Sequence, residues 1–275
     1  MQPSQPEVAA NEGLTPRQRR EREYYDEYAQ KKGETEVDFA PVLGEERRPW
    51  NPYWFLYGLV RDRAAQGADQ TLLDIGSGPG RDCVRYAKLG YRVQGIDISP
   101  GNCELAARLA EKYGVQDRME TRPMPAERLD FPDGTFDVVT GVDVLHHVEV
   151  DRTVAEAMRV LKPGGVAFFK ECVEFPVLDP LYQGIMGRLP GKRQASIDQH
   201  MTQDERKLNR RHDLKAMRAV CPGIKLHWFQ ILGRFDRYLG PRGRGSLERL
   251  DWRLTRVLPI GPLGGWCVFE MPKAR

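Results

Sequence analysis

The stretch Leu72-Leu73-Asp74-Ile75-Gly76-Ser77-Gly78-Pro79-Gly80-Arg81 decides the fold. TLLDIG (71–76) is a short apolar run ending in glycine, the pattern of a strand buried on both faces. RDCVRYAKLG (81–90) then reads as a helix closing on Gly90. Glycines at a strand-to-helix turn let the main chain turn tightly and approach a ligand closely. In open sheets of this kind ligands bind beyond the strand carboxyl ends, where the strand order reverses. The turn is therefore both a fold marker and a candidate site.

Outward from it, strand and helix patterns alternate. YRVQGIDIS (91–99) is a strand, PGNCELAARLAEKYG (100–114) a helix, FDVVTGV (136–142) a strand, RTVAEAMRVL (152–161) a helix and GVAFFKECV (165–173) a strand. Apolar strands alternating with helices imply a parallel sheet covered on both faces, and right-handed crossovers make it doubly wound. Residues 174–212 break the pattern with Pro, Gly and charge, and read as a lid or substrate-binding insertion. HDLKAMRAVC (212–221) resumes a helix, IKLHWFQIL (224–232) is a strand, and WCVFEM (266–271) is the last strand. The insertion before it, 233–262, contains GSLERLDWRLTRVL, with Leu247, Leu250, Leu254, Val257 and Leu258 at helical spacing and arginines on another face.

On the amino-terminal side, residues 1–13 read as a disordered tail and 14–69 as a helical cap on the main domain, 70–275. Thr15-Pro16 opens a charged helix, RQRREREYYDEYAQKK, and a second helix runs from Pro52 to about Ala65 with Tyr53, Trp54, Phe55 and Tyr57.

Composition excludes several classes. The 275 residues are 40% hydrophobic and 29% charged, which rules out a collagen, a coiled coil, a disulfide mini-protein and a wholly disordered chain. No run approaches the ~20 apolar residues of a membrane span. MQPSQPEVAANEG lacks a basic stretch followed by an apolar one, so no secretory signal is expected. Five scattered cysteines without a CxxC pair suit reduced thiols in cytoplasm. The net charge is only +3, yet residues 180–256 carry 17 Lys/Arg against 7 Asp/Glu. That basic segment suits an anionic substrate group, a phospholipid surface or RNA; a solvated face is the alternative.

A dinucleotide dehydrogenase is the natural rival, but its GxGxxG fingerprint needs a third glycine where Arg81 stands. Asp74, two residues before the first glycine, suits a ligand amine better than a pyrophosphate. Over residues 70–173 the chain instead resembles the class I S-adenosylmethionine-dependent methyltransferases. The resemblance rests on DIGSGPG, Asp97 in GIDIS, FPDGTFDVVTGVDVLHHV (131–148) and LKPGG (161–165), in order. It implies an α/β fold: a doubly wound, mostly parallel, seven-stranded Rossmann-like sheet with helices on both faces. It also implies S-adenosyl-L-methionine as cofactor. Asp74, Gly76 and Gly78 would surround its methionine part, with Ser77 and Gly80 in the same loop. Asp97 would hold the ribose and Ile98 would lie against the adenine. Ala126 and Glu127 fall at the adenine edge, although Pro125 stands where the family often has an acid. Thr140, Gly141 and Val142 would line the sulfonium side. Tyr24 and Tyr25 resemble the helix that closes over the cofactor; the alternative is tyrosines packing a cap helix.

Methyl transfer is an in-line displacement in which alignment does most of the work, and a hydroxyl acceptor also needs a base. Histidine is the usual base near neutral pH. His147 and His146, just after the fourth strand, are the first candidates, although the family often carries this pair without using it so. His200, in the expected lid, is the next candidate. His212 reads as a cap or surface residue and His227 as structural, while Glu171 and Glu174 end the fifth strand facing the same crevice. No metal is expected: Asp143 stands near a strand end, but no Asp-Asn pair follows the fifth strand.

Base-amino and glutamine N-methyltransferases of this fold carry Asp/Asn-Pro-Pro-aromatic after the fourth strand; here Gly141-Val142-Asp143-Val144 stands there. The segment resembles the small-molecule branch, similar to quinone-biosynthesis methyltransferases. The expected reaction is O-methylation of a phenolic, quinone-like or lipid-like acceptor. C- or N-methylation, RNA methylation by the basic segment and non-catalytic cofactor binding are the alternatives. Helix 246–258 either covers the sheet or lies on a membrane.

Overall fold

A computed structural model describes residues 13–32, 36–174, 207–238 and 245–275. The expected lid, apart from its ends, and His200 with it, lie outside these residues.

Helix α1 (Pro16–Lys32), a single turn α2 (Ala40–Leu43) and α3 (Pro52–Ala64) precede β1 (Thr71–Ile75). The chain continues through α4 (Arg81–Lys88), β2 (Arg92–Asp97), α5 (Pro100–Lys112), β3 (Met119–Pro123) and β4 (Phe136–Val142). A 3-10 turn (Leu145–His147) leads to α6 (Val150–Val160) and the long β5 (Leu161–Cys172). Then come α7 (Asp213–Val220), β6 (Lys225–Phe229), α8 (Ser246–Val257) and β7 (Trp266–Pro272).

The helix starts follow local chemistry. The Asn51 side chain accepts the N–H groups of Tyr53 and Trp54, with Pro52 in the first turn of α3. Ser99 accepts Asn102 N–H in the same way at the start of α5.

The strands form one seven-stranded sheet in the order 3-2-1-4-5-7-6. All pairs are parallel except β5–β7 and β6–β7. The order reverses between β1 and β4, so the crevice above their carboxyl ends is the ligand position of a doubly wound sheet. Strand β3, METRP, is one that the apolar pattern misses. It is an edge strand of Met, Glu, Thr, Arg and Pro, and its pairing with β2 from Val93↔Met119 to Asp97↔Pro123 makes it one.

Both faces of the sheet are covered, as its apolar strands require. On one face Leu73, Ile75, Val139 and Phe169 pack with Val154 and Ala157 of α6 and with Leu214 and Met217 of α7. On the other, Leu72, Val93, Val138, Phe168 and Val268 pack with Leu56, Tyr57 and Val60 of α3 and with Val84 of α4. Each such side chain fully buried contributes about 1.5–3 kcal/mol. Helix α3 thus belongs to a covering layer of the sheet, whereas α1 lies across the loops at the strand ends.

Helix α8 turns an unexpected side inward. Its Trp252 stacks on Phe229 (5.8 Å between centroids) and packs against Phe55. Buried Asp251 accepts the N–H groups of Leu232 (2.8 Å) and Gly233 (2.7 Å). Leu250, Val257 and Leu258 of the expected apolar stripe face water.

Candidate active site

The glycine turn between β1 and α4 carries φ values of +69° at Gly76, +52° at Gly78 and +83° at Gly80. A Cβ on Gly76 would stand 2.5 Å from Val144 Cγ2, so this glycine lets two loops touch. A Cβ on Gly78 would meet nothing within 4 Å: the main chain there faces open space. Together they make a turn closed below and open above.

Its floor is Asp74, buried at the end of β1. The Thr140 hydroxyl lies 2.8 Å from Asp74 Oδ1, and the Cys83 thiol donates to Oδ2 at 3.3 Å. Burial, and then the charge of Asp82, push the Asp74 carboxyl up to about 8. At neutral pH the group therefore stores a proton, unless a cation arrives to replace it. Asp82 receives the hydroxyls of Tyr53 (2.7 Å) and Tyr57 (2.6 Å) and the Arg85 guanidinium (2.7 Å), which ties α3 to α4 behind the floor.

Asp97 ends β2 facing the turn. Its Oδ2 accepts Gly78 N–H (2.8 Å), while Oδ1 accepts Ser99 N–H (2.9 Å) and the Asn102 amide (3.2 Å). Burial raises its pKa. The carboxylate ties the end of β2 to the glycine turn. Ile98 beside it is half-buried, and Ala126 is buried. Glu127 is already engaged: Oε2 accepts the Gln18 amide (2.8 Å) and Oε1 accepts Glu149 N–H (3.3 Å).

Of the three residues expected beside the sulfonium, Thr140 and Gly141 are buried and Val142 is half-buried. The Thr140 hydroxyl serves Asp74, and a Cβ on Gly141 would meet the Phe169 ring at 2.7 Å. Only their main chain is left to face a ligand, which β4's register on β1 and β5 fixes.

The histidines lie beyond β4, where β5 stakes the loop down. Buried Glu171 accepts the N–H groups of Val144 (2.7 Å) and Leu145 (2.6 Å) on Oε1 and holds His146 Nδ1 at 2.7 Å on Oε2. One residue earlier on β5, Lys170 Nζ pairs with Asp143 Oδ2 at 2.6 Å and lies 3.8 Å from the Trp266 ring centroid. Asp143 has φ +54°, and its Oδ1 is buried with no hydrogen-bond partner among the described residues. Burial raises the Asp143 pKa.

His147 stacks on His146 (4.2 Å between centroids) and reaches α1 instead. Its Nε2 lies 3.1 Å from the Tyr25 hydroxyl and its Nδ1 3.3 Å from Glu21. Tyr24 packs edge-on against Tyr25. Helix α1 crosses the crevice from this contact to the start of α5, where Asp26 accepts the Ser99 hydroxyl and Gly101 N–H (3.0 Å). Tyr25 thus sits at the histidine end of the crevice.

Sequence reasoning missed Glu21, Asp26, Gln18 and Asn102, and read Glu171 as a base, an acceptor ligand or a solvated loop acid, not as the anchor of the loop after β4. Each is a polar residue in a polar segment, and its role exists only through a partner far along the chain. His212 is exposed beside Asp213, and His227 pairs with Glu270 on β7, away from the turn.

His146, Glu171 and Cys172 are the one group of three potential metal ligands within 4.8 Å of one another among the described residues. Glu171 is occupied by its three donors, and burial pushes the Cys172 thiol up to about 12.

A pocket of about 190 Å³ is bounded by Arg17, Val148, Asp151 and His212. A larger cleft of about 340 Å³, near Gln70, Tyr91 and Arg118, lies at the amino ends of β1, β2 and β3. That is the opposite end of the sheet from the glycine turn, where this architecture does not place its ligands.

Residues 73–169 match a family model described as a methyltransferase domain. Over 101 residues the chain is 42% identical to the 27-O-demethylrifamycin SV methyltransferase of Amycolatopsis mediterranei, covering 36% of this chain and 37% of that protein. Over 131 residues it is 35% identical to a ubiquinone biosynthesis O-methyltransferase of Sinorhizobium medicae, covering 43% and 51%. The matches thus span about half or less of the curated relatives' length. Among solved structures, geranyl diphosphate C-methyltransferase from Streptomyces coelicolor aligns with a TM-score of 0.56 at 18% identity, over 95% of this chain and 99% of that one. The [4+2]-cyclase SpnF aligns at 0.55 and 22%, over 94% and 96%. At these identities the shared feature is the fold.

Proposed function

We propose that this chain, whose residues 73–169 match a methyltransferase-domain model, moves a methyl group from S-adenosylmethionine to the hydroxyl of a small phenolic, quinone-like or lipid-like acceptor. The observation that carries the reading is the glycine turn itself: open above Gly78, tied to Asp97, and floored by a buried acid. A pyrophosphate would hold the Asp74 carboxyl in its neutral form and gain no charge partner there, whereas an ammonium group would favour loss of the proton to solvent and pair with the carboxylate. The O-methyltransferases among the relatives support a hydroxyl acceptor.

The cofactor, when bound, supplies a methyl group already activated on a sulfonium. Asp74 would hold the amino end through its charge, and Asp97 would accept the ribose hydroxyls. Ile98 and Ala126 would give the adenine an apolar slot, with Glu127 at its edge. The main chain of Thr140, Gly141 and Val142 would align the reacting end, since an in-line transfer depends on position more than on proton chemistry.

The acceptor's proton needs a base at the end of β4. Glu171 at His146 Nδ1 favours the tautomer with the proton on Nδ1 and the lone pair on Nε2, the arrangement of a general base. His147 shares the position but also fastens α1 through Glu21 and Tyr25, which gives it a part in closing the crevice. His200 lies outside the described residues.

Calorimetric titration with S-adenosylmethionine, S-adenosylhomocysteine and NADH tests the cofactor assignment. Micromolar binding of the first two and none of the third supports it; NADH binding alone overturns it. Labelled-methyl transfer to phenols, quinone precursors and lipids, with the product analysed for the atom methylated, separates O- from C- and N-transfer.

A further inference from the structure

Exposed apolar side chains are concentrated in one insertion. Of the six large hydrophobic residues exposed among the described residues, five lie between positions 235 and 263: Phe235, Leu250, Val257, Leu258 and Leu263. Val257 is 82% exposed. The inward side of α8 is occupied by Asp251 and Trp252, so this ridge is the other side of a helix that is already seated.

We propose that the outward face of α8 is a docking surface for an anionic phospholipid bilayer. Leu250 and Val257 are two turns apart on one face, and Arg249, Arg253 and Arg256 stand beside them within the same outward half. All three arginines are exposed, and none makes an ion pair among the described residues. The helix's acids are turned away from this face: Asp251 caps Leu232 and Gly233, and Glu248 accepts the Gln230 amide (3.2 Å). The exposed residues of α8 are therefore a serine, three arginines and two large aliphatics.

Charge complementarity selects the occupant. A lipid surface offers acyl chains to the ridge and negative headgroups to the arginines in one plane, which is how amphipathic helices lie in an interface. A second copy docked about a two-fold axis would set the same three arginines against three more, with no acid of α8 on that face and, among the described residues, only Glu46, near Arg249, beside it. Trp50, half-buried beneath Arg249 (4.8 Å to the ring centroid), adds an aromatic side chain of the kind found at headgroup level. No described helix is long and apolar enough to cross a membrane, so contact would be with one leaflet's surface.

The location has a consequence for access. Strand β7 runs antiparallel to β5, and β6 antiparallel to β7. Phe229, where β6 ends, and Trp266, where β7 begins, therefore lie at the carboxyl end of the parallel strands. The insertion carrying α8 springs from that end, the end at which the crevice opens.

Vesicle sedimentation tests the surface without any appeal to catalysis. The protein is mixed with vesicles of phosphatidylcholine containing about one-third phosphatidylglycerol, and with phosphatidylcholine alone. Binding to the first, weak binding to the second and release by high salt are expected. Arg253→Glu with Arg256→Glu should weaken binding at least ~25-fold, from ~5-fold per arginine. Val257→Asp should weaken it at least ~10-fold. Melting temperatures should hold for Arg253→Glu alone and for Val257→Asp, whose side chains are exposed, and are the control for Arg256→Glu, since Arg256 also lies over the Trp252 ring (3.9 Å to the centroid). Absence of vesicle binding at low salt overturns the proposal, as does binding that these variants leave unchanged. So does a wild-type dimer in sedimentation velocity that Val257→Asp makes monomeric, which would make the face a contact between copies.

Discussion

Asp74→Asn should stabilise the protein at alkaline pH and do much less at acid pH. Burial, with Asp82 nearby, raises the Asp74 pKa from 3.8 to about 8. Between those values the native state keeps a proton that the unfolded chain has released. The native state binds more protons there, so stability falls as pH rises, by ~1.4 kcal/mol per pH unit from this group. Between pH 6 and pH 8 the wild type should lose about 2–3 kcal/mol that the variant keeps, roughly 4–8 °C in melting temperature for a chain of this size. Asparagine is the right probe because it resembles the neutral acid. Its amide can donate to the Thr140 hydroxyl, which in turn lies 3.4 Å from Leu73 O, and its carbonyl can accept from Cys83. The assay is the difference in melting temperature between the two proteins, followed by circular dichroism from pH 5 to pH 9, so that other titrating groups cancel. Parallel curves within about 1 °C would refute the reasoning. A second arm reads the same group through the ligand. If an ammonium replaces the stored proton, S-adenosylmethionine binding near pH 7 should release close to one proton from wild type and none from the variant, measured calorimetrically in buffers of differing ionisation enthalpy.

Asp97→Ala should weaken S-adenosylmethionine binding at least ~10-fold, or ~1.4 kcal/mol, in titration calorimetry, because it removes both the ribose partner and the acceptor of Gly78 N–H; unchanged affinity removes the ribose assignment. Gly76→Ala should cost about 2–5 kcal/mol in chemical denaturation, from left-handed backbone strain plus a methyl 2.5 Å from Val144. For the base, His146→Ala should lower kcat ~10²-fold or more with an identified hydroxyl acceptor, and Glu171→Gln should move the pH profile of kcat; full turnover in both variants across pH rules out His146 as the base.

Much of the fold was legible because its signals are local. An apolar run followed by glycines needing positive φ can be read from ten residues, and Asp97 follows from where the next strand ends. The alternation of strands and helices carried the parallel sheet for the same reason. Strand β3 was not legible, since METRP has no apolar pattern and becomes a strand only by pairing with β2. The histidine end of the crevice was half legible: the pair stands out after β4, but Glu171 could not be assigned to His146, because it lies on another strand 25 residues away.

By itself, then, the sequence determined the glycine turn, the buried acid beneath it and the doubly wound sheet, all written in short-range spacing. Tertiary structure decided which polar groups meet: Asp97 with Gly78, Glu171 with the loop of Val144 and Leu145, His147 with Glu21 and Tyr25 of α1. It also decided which side of α8 is buried. Helical periodicity marks an apolar stripe at Leu250 and Val257 and a competing side at Asp251 and Trp252, without ranking them. The ranking comes from the surface below, where Phe55 and Phe229 offer an aromatic partner to Trp252 and the N–H groups of Leu232 and Gly233 require a carboxylate. A leucine turned inward there would leave those two donors unsatisfied, and a buried unpaired donor costs more than an aliphatic side chain left in water.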